Sequence, residues 1–99
     1  MELTKNMINV MATYVEDIFD SKIAGAYKFE DDNNIIYICP CGCEQLMSLP
    51  VVAVHVSGQR GWGWNQNKDK PTLTPSIRRM DGCKFHGFLT DGVWTGGNE

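Results

Sequence analysis

The chain has 99 residues, of which 42% are hydrophobic, and its formal net charge is −3. This length suffices for one small domain and is too short for two hydrophobic cores, so we predict a single domain over residues 1–99. The apolar and aromatic content excludes a wholly disordered chain. No apolar stretch reaches the roughly 20 residues of a membrane-spanning helix, which predicts a protein with no membrane partner.

The first 20 residues show a helical pattern. Apolar side chains recur every three or four positions, at Leu3, Met7, Met11, Tyr14 and Ile18. This spacing predicts an amphipathic helix over residues 1–20 that packs on the rest of the domain. Residues 1–6 lack the basic start and long apolar stretch of a signal peptide, so a cytoplasmic location is expected.

Residues 25–99 are typical of a β-rich part. The segments AYKFE and NIIYICP predict two strands joined by a polar turn, and EQLMSLPV and VAVHV predict further strand, with His55 as a buried imidazole. Prolines at 71 and 75 favour an extended segment, and Asp91-Gly92 predicts a hairpin turn. The fold class expected is therefore α+β, with the N-terminal helix on a small, mostly antiparallel sheet.

Four cysteines form the main chemical pattern. Cys39, Cys41 and Cys43 lie in the string CPCGC, and Cys83 follows forty residues later, close to His86. Such closely spaced cysteines do not suit a disulfide framework, and in a reducing cytosol they more often bind a metal. All five residues are candidate ligands, and a tetrahedral zinc site needs four of them.

The spacing leaves the ligand set open. We favour Cys41 and Cys43 with Cys83 and His86, because the strand pattern before Cys39 points that side chain towards the core; the pairing of Cys39 with Cys41 is the alternative. Three cysteines and one histidine suit structural zinc, or else a [2Fe–2S] cluster. The C-x-x-H-G loop looks like the second cluster loop of Rieske proteins, but the first loop reads C-x-C here, which favours zinc.

No motif of the sequence indicates catalysis. There is no G-x-S-x-G, no Walker loop and no H-E-x-x-H pattern, and three thiolates would weaken a zinc ion as a Lewis acid. The acid closest to a ligand is Glu44. We therefore expect a protein that is not an enzyme and whose metal is structural.

Charge is segregated along the chain. Residues 1–44 hold three lysines and eight acidic residues, whereas residues 60–84 hold six basic and two acidic residues. A loop around Trp62 and Trp64 adjoins this basic part, and such loops often bind partners. A protein partner is expected, with nucleic acid as the weaker alternative because the whole chain is acidic. The candidate partner-binding residues are Trp62, Trp64, Arg78, Arg79 and Lys84.

Four segments, CPCGC, GWGWN, PTLTPSI and CKFHGFLTDGVW, follow one another in a fixed order. Over residues 35–95 this order resembles a family of small phage and bacterial proteins that often carry the label ammonia monooxygenase. The resemblance implies a metal-binding β domain, sometimes encoded near bacterial ubiquitin-like conjugation genes, with no established activity. It suggests an interaction module in the cytoplasm of a bacterial host, such as a phage-encoded inhibitor of a host macromolecule.

Overall fold

The computed structural model describes residues 8–53, 61–79 and 82–98, and within that part it contains nine strands and no helix. The fold is all-β, so the predicted α+β class is wrong. The strands are β1 Ile8–Met11, β2 Thr13–Tyr14, β3 Ala26–Glu30, β4 Asn34–Ile38, β5 Leu46–Val52, β6 Trp62–Trp64, β7 Leu73–Arg78, β8 Phe85–Thr90 and β9 Val93–Asn98. No part of the described chain forms a helix of the length and apolarity needed to cross a membrane.

All nine strands belong to one mixed sheet that nearly closes on itself. Their order is β1-β9-β8-β7-β6-β5-β4-β3-β2, with parallel pairing only between β2 and β3 and between β5 and β6 among the described strands. The two edge strands, β1 and β2, are separated by Ala12 alone. β1 and β2 therefore form one bent segment that pairs with β9 at one end of the sheet and with β3 at the other. Without this segment, the edges of β9 and β3 would be unpaired.

This bent segment replaces the predicted N-terminal helix. Its side chains alternate at first, with Ile8 buried, Asn9 exposed and Met11 71% exposed, which is the period of a strand. Pairing with neighbouring strands favours the strand conformation of this segment over a helix, because β9 and β3 supply backbone hydrogen bonds that a helix would not use. Ile18 is buried, but in a turn; Leu3 and Met7 lie outside the described residues.

The strands predicted on either side of the polar turn are confirmed. AYKFE forms β3 and most of NIIYICP forms β4, and Asp31 and Asp32 in the turn between them have positive φ. The Asp91-Gly92 turn joins β8 to β9 with φ angles of 49° and 75°, the left-handed pair that suits a tight hairpin. EQLMSLPV contributes most of β5, whereas His55 lies outside the described residues.

The segment predicted as a loop around the two tryptophans forms a short strand in part. Trp62–Trp64 is β6, which lies between β5 and β7. The Trp64 ring is buried and stacks on Phe29 with ring centroids 4.1 Å apart. Packing against the sheet interior therefore determines the conformation of this segment, which has no strand-like alternation of its own.

The strand β4 is buried on both faces. On the inside, Ile35 and Tyr37 join the main core with Trp94 and Phe85; on the outside, Ile36 and Ile38 pack against Ile18. Burial on both faces explains the continuous apolar run of this strand. The chain leaves β4 at Cys39, which is fully buried at one end of the sheet.

Candidate active site and metal centre

Two chain connections bring the four cysteines together. Cys39, Cys41 and Cys43 lie between β4 and β5, Cys83 lies between β7 and β8, and their sulfur atoms are all within 4.8 Å of one another. The Cys39 Sγ lies 3.4 Å from that of Cys41 and 3.5 Å from that of Cys83. Tetrahedral thiolates about 2.3 Å from a metal are themselves about 3.8 Å apart. The four sulfurs are therefore close enough to hold a metal ion.

One hydrogen bond to a backbone carbonyl fixes each connection. The Cys39 amide donates to the carbonyl of Gln45 at 2.9 Å and closes the turn that carries the first three cysteines. The Asn98 side-chain amide donates to the carbonyl of Cys83 at 2.8 Å and ties the second connection to β9. The thiols are thus held on tight turns, as in structural metal sites.

A buried cation lies beside this cluster. Arg79 is only 9% exposed; its Nη1 contacts the Cys83 Sγ at 3.4 Å and its Nη2 donates to the Gln45 Oε1 at 3.3 Å. Burial of a guanidinium is costly unless negative charge compensates it. Thiolates supply that charge, so Arg79 fits a cysteine cluster in its metal-binding form.

The thiols differ in acidity. Burial raises the pKa of Cys39. Burial also acts to raise the pKa of Cys41, but hydrogen bonds with Asn98 and Cys39 outweigh it and lower the value to about 7. Nearby, burial and the charge of Cys39 raise the pKa of Tyr37, whose buried hydroxyl has no hydrogen-bond partner among the described residues. The neutral phenol of Tyr37 and the guanidinium of Arg79 therefore both border the cysteine cluster.

The structure brings together all four cysteines and leaves the fifth candidate ligand outside the group. The favoured set from the sequence contained His86 and left out Cys39, whereas Cys39 lies within contact distance of two other sulfurs. Spacing along the chain could not show this, because the relevant distances depend on how two separate turns meet.

His86 lies beside a serine. Its Nε2 is 3.2 Å from the Oγ of Ser76, and both side chains are partly exposed. Arg78 on β7 pairs with His86 on β8, so Ser76, two residues earlier, is its diagonal neighbour on the same face. A hydroxyl at this distance from an imidazole can share a hydrogen bond with it, which is the contact that a serine nucleophile needs with its base.

A close approach of β8 and β9 fixes the backbone around His86. A Cβ atom added at Gly87 would collide with the carbonyl of Thr95, and one added at Gly96 would collide with the carbonyl of His86. Glycine at both positions lets the two strands lie close together. The backbone of His86 therefore lies in a closely packed part of the sheet.

Sequence reasoning missed Ser76. The residue is in no recognised nucleophile motif, and it lies ten positions from His86, with a turn between them. The register of β7 on β8 also shifts between Leu73 and Ile77. The sequence predicted an extended segment around Ser76 and a hairpin that begins near His86. Neither prediction showed that these two side chains would meet.

An open cavity of about 280 Å³ is lined by residues on and next to β6 and β7. Thr74, two residues before Ser76, forms part of its wall. None of its lining residues carries a charge: they are Ala53, Gly63, Trp64, Asn65, Thr72 and Thr74.

The candidate partner-binding residues have different environments. Arg78 and Lys84 are exposed, and Arg78 lies directly across from His86. Trp62 is partly buried, Trp64 is buried, and Arg79 borders the cysteine cluster. Their role in partner binding stays a prediction.

Comparison with known proteins gives one match. Residues 12–96 match the family BubE, described as the bacterial ubiquitination-like system serine protease. Neither the curated proteins nor the solved structures contain a match. The family description contradicts the expectation that the protein is not an enzyme. That expectation rested on the absence of known catalytic motifs from the sequence. The contact between Ser76 and His86 forms only in the folded sheet, so no sequence motif could reveal it.

Proposed function

Because the chain belongs to the family of the bacterial ubiquitination-like system serine protease, we propose that it hydrolyses an acyl bond with Ser76 as nucleophile and His86 as general base. The observation that carries this proposal is the distance of 3.2 Å between the Ser76 Oγ and the His86 Nε2. Both side chains are accessible from the same outer face of the sheet, as a nucleophile acting on another protein must be.

The proposed reaction follows the general scheme of serine hydrolases. The Ser76 Oγ attacks the substrate carbonyl carbon while its proton passes to the neutral His86 Nε2. The tetrahedral intermediate then breaks its bond to the leaving group, which receives the proton from His86. A water molecule, deprotonated by His86, attacks the acyl-serine, and the acid product leaves with the Ser76 hydroxyl restored.

The proposed substrate is the ubiquitin-like protein of the same system, cleaved at a peptide or isopeptide bond near its C-terminus. The family description supports a protein substrate in a ubiquitination-like pathway. The open, uncharged cavity beside Thr74 supports a site that accepts small uncharged residues near the cleaved bond. This substrate would also be the protein partner that the sequence led us to expect.

A fluorophosphonate probe tests the nucleophile directly. We expect the wild-type protein to form a covalent adduct on Ser76, identified by peptide mass spectrometry, because the probe reacts with serines activated by a neighbouring base. The Ser76→Ala variant should not react, and His86→Gln should react at least about 100-fold more slowly, since base catalysis contributes about 10²–10⁴-fold.

The control is Ser48→Ala, which removes an exposed serine from β5. This variant should be labelled at the wild-type rate. Labelling of any serine other than Ser76, or equal labelling of wild type and His86→Gln, would contradict the proposal.

We also propose that Cys39, Cys41, Cys43 and Cys83 hold one structural zinc ion. The sulfur separations and the buried Arg79 beside Cys83 support a thiolate-bound metal. Four thiolates form a closed coordination sphere, which is typical of structural zinc. In this assignment His86 is not a metal ligand and keeps its proposed role as general base.

Elemental analysis of protein purified without oxygen or added metal tests this assignment. We expect one zinc per chain and no absorption in the visible range, because zinc has a filled d shell. Iron in a ratio of two per chain with visible bands would instead establish a [2Fe–2S] cluster, which cysteine thiolates can also bind. A metal-free, fully folded protein would exclude both.

A further inference from the structure

Ser76 lies in an irregular part of β7. The pairing of β7 with β8 is regular at Leu73 and again at Ile77, but the register shifts between them. On the other side, β6 pairs only with Leu73 and Thr74. The regular pairing of the described strands therefore does not hold the backbone of Ser76 on either side.

A side chain supplies the missing constraint. The Trp62 Nε1 donates a hydrogen bond of 3.1 Å to the carbonyl oxygen of Ser76. The indole is partly buried and packs against the main core, so it is a rigid donor. It reaches across from the first residue of β6 to the stretch of β7 that lacks regular partners.

We propose that Trp62 is a positioning residue for the nucleophile. This inference rests on the proposed function, in which Ser76 attacks the substrate. By fixing the Ser76 carbonyl, the indole N–H restricts rotation of the Ser76 backbone and keeps its Oγ 3.2 Å from the His86 Nε2. A displacement of about 1 Å between reacting groups can reduce a rate about 100-fold.

Trp62→Phe tests the inference, because it keeps an aromatic ring and removes the donor. We expect the rate of fluorophosphonate labelling at Ser76 and kcat for the ubiquitin-like substrate to fall by about 10- to 100-fold. KM should change by less than about threefold, since Trp62 acts on the nucleophile through its backbone and not on substrate binding. Zinc content should be unchanged.

Phe29→Leu is the control for packing beside β6. The Phe29 ring stacks on Trp64 and packs against the main core, so the substitution removes a ring contact and no hydrogen bond to Ser76. We expect its labelling rate to stay within about threefold of wild type. A general loss of packing around β6 would lower both variants equally, and that result would overturn the inference.

The remaining outcomes separate this inference from the proposed function. If Ser76 of the wild type is labelled and Trp62→Phe is labelled equally fast, Trp62 has no positioning role and the proposed function stands. If Ser76 of the wild type is not labelled, both are overturned, because the inference assigns Trp62 to that nucleophile.

Discussion

Replacing Ser76 by Ala is expected to reduce kcat/KM for the ubiquitin-like substrate by at least about 10³-fold, because the attacking oxygen is lost. His86→Gln should cause a loss of similar size, and the double variant should be little worse than either single one. Residues that act as a unit in one chemical step have strongly non-additive effects. Steady-state cleavage of the substrate, followed by mass spectrometry, measures all three variants.

The same variants should fold normally. Ser76 is partly exposed and its hydroxyl contacts His86 at 3.2 Å, so loss of that hydroxyl removes about 1 kcal/mol of stability. Thermal unfolding and zinc content provide the control, together with the kinetics of Ser48→Ala. An active Ser76→Ala enzyme would show that the nucleophile is elsewhere in the chain.

Removing the proposed zinc ion is expected to unfold the protein. Structural zinc in small domains contributes an apparent binding free energy of about 10–16 kcal/mol, while a whole domain is stable by only about 5–15 kcal/mol. Here metal loss would also remove the thiolate charge that compensates the buried Arg79. Circular dichroism during titration with a chelator should show loss of the β signal, with recovery on addition of zinc.

Cys83→Ala should have the same effect as the chelator, because it removes the ligand from the connection between β7 and β8 and the sulfur that Arg79 contacts. Glu44→Gln is the control: this residue is exposed and adjoins Cys43 without belonging to the cluster. It should retain zinc, stability and activity. A Cys83→Ala protein with wild-type stability would show that the cluster does not stabilise the fold.

The loss of the Ser76–His86 pair and the loss of the metal both affect β7 and β8. Ser76 on β7 lies three residues before Arg79, which follows the end of that strand. His86 on β8 lies three residues after Cys83, which precedes the start of that strand. A metal bound to Cys83 would anchor this connection to the turn that follows β4. Loss of metal should therefore also abolish activity, although the metal takes no part in the proposed reaction.

The sequence by itself determined the local features of this protein. AYKFE and NIIYI have the composition of strands, and Asp91-Gly92 has the conformational preference of a tight hairpin turn. The close spacing of Cys39, Cys41 and Cys43 likewise predicted a metal site. Each of these conclusions depends on residues that are neighbours in the chain, whose preferences act before any tertiary contact forms.

Tertiary structure decided the rest. Residues 8–14 carry a spacing that also suits a helix, but they become strands because β9 and β3 offer pairing edges. Cys39 joins the cysteine cluster because two distant turns meet at one end of the sheet. Ser76 meets His86 because of the register of β7 on β8, including its irregularity, and no local preference of either residue encodes that register.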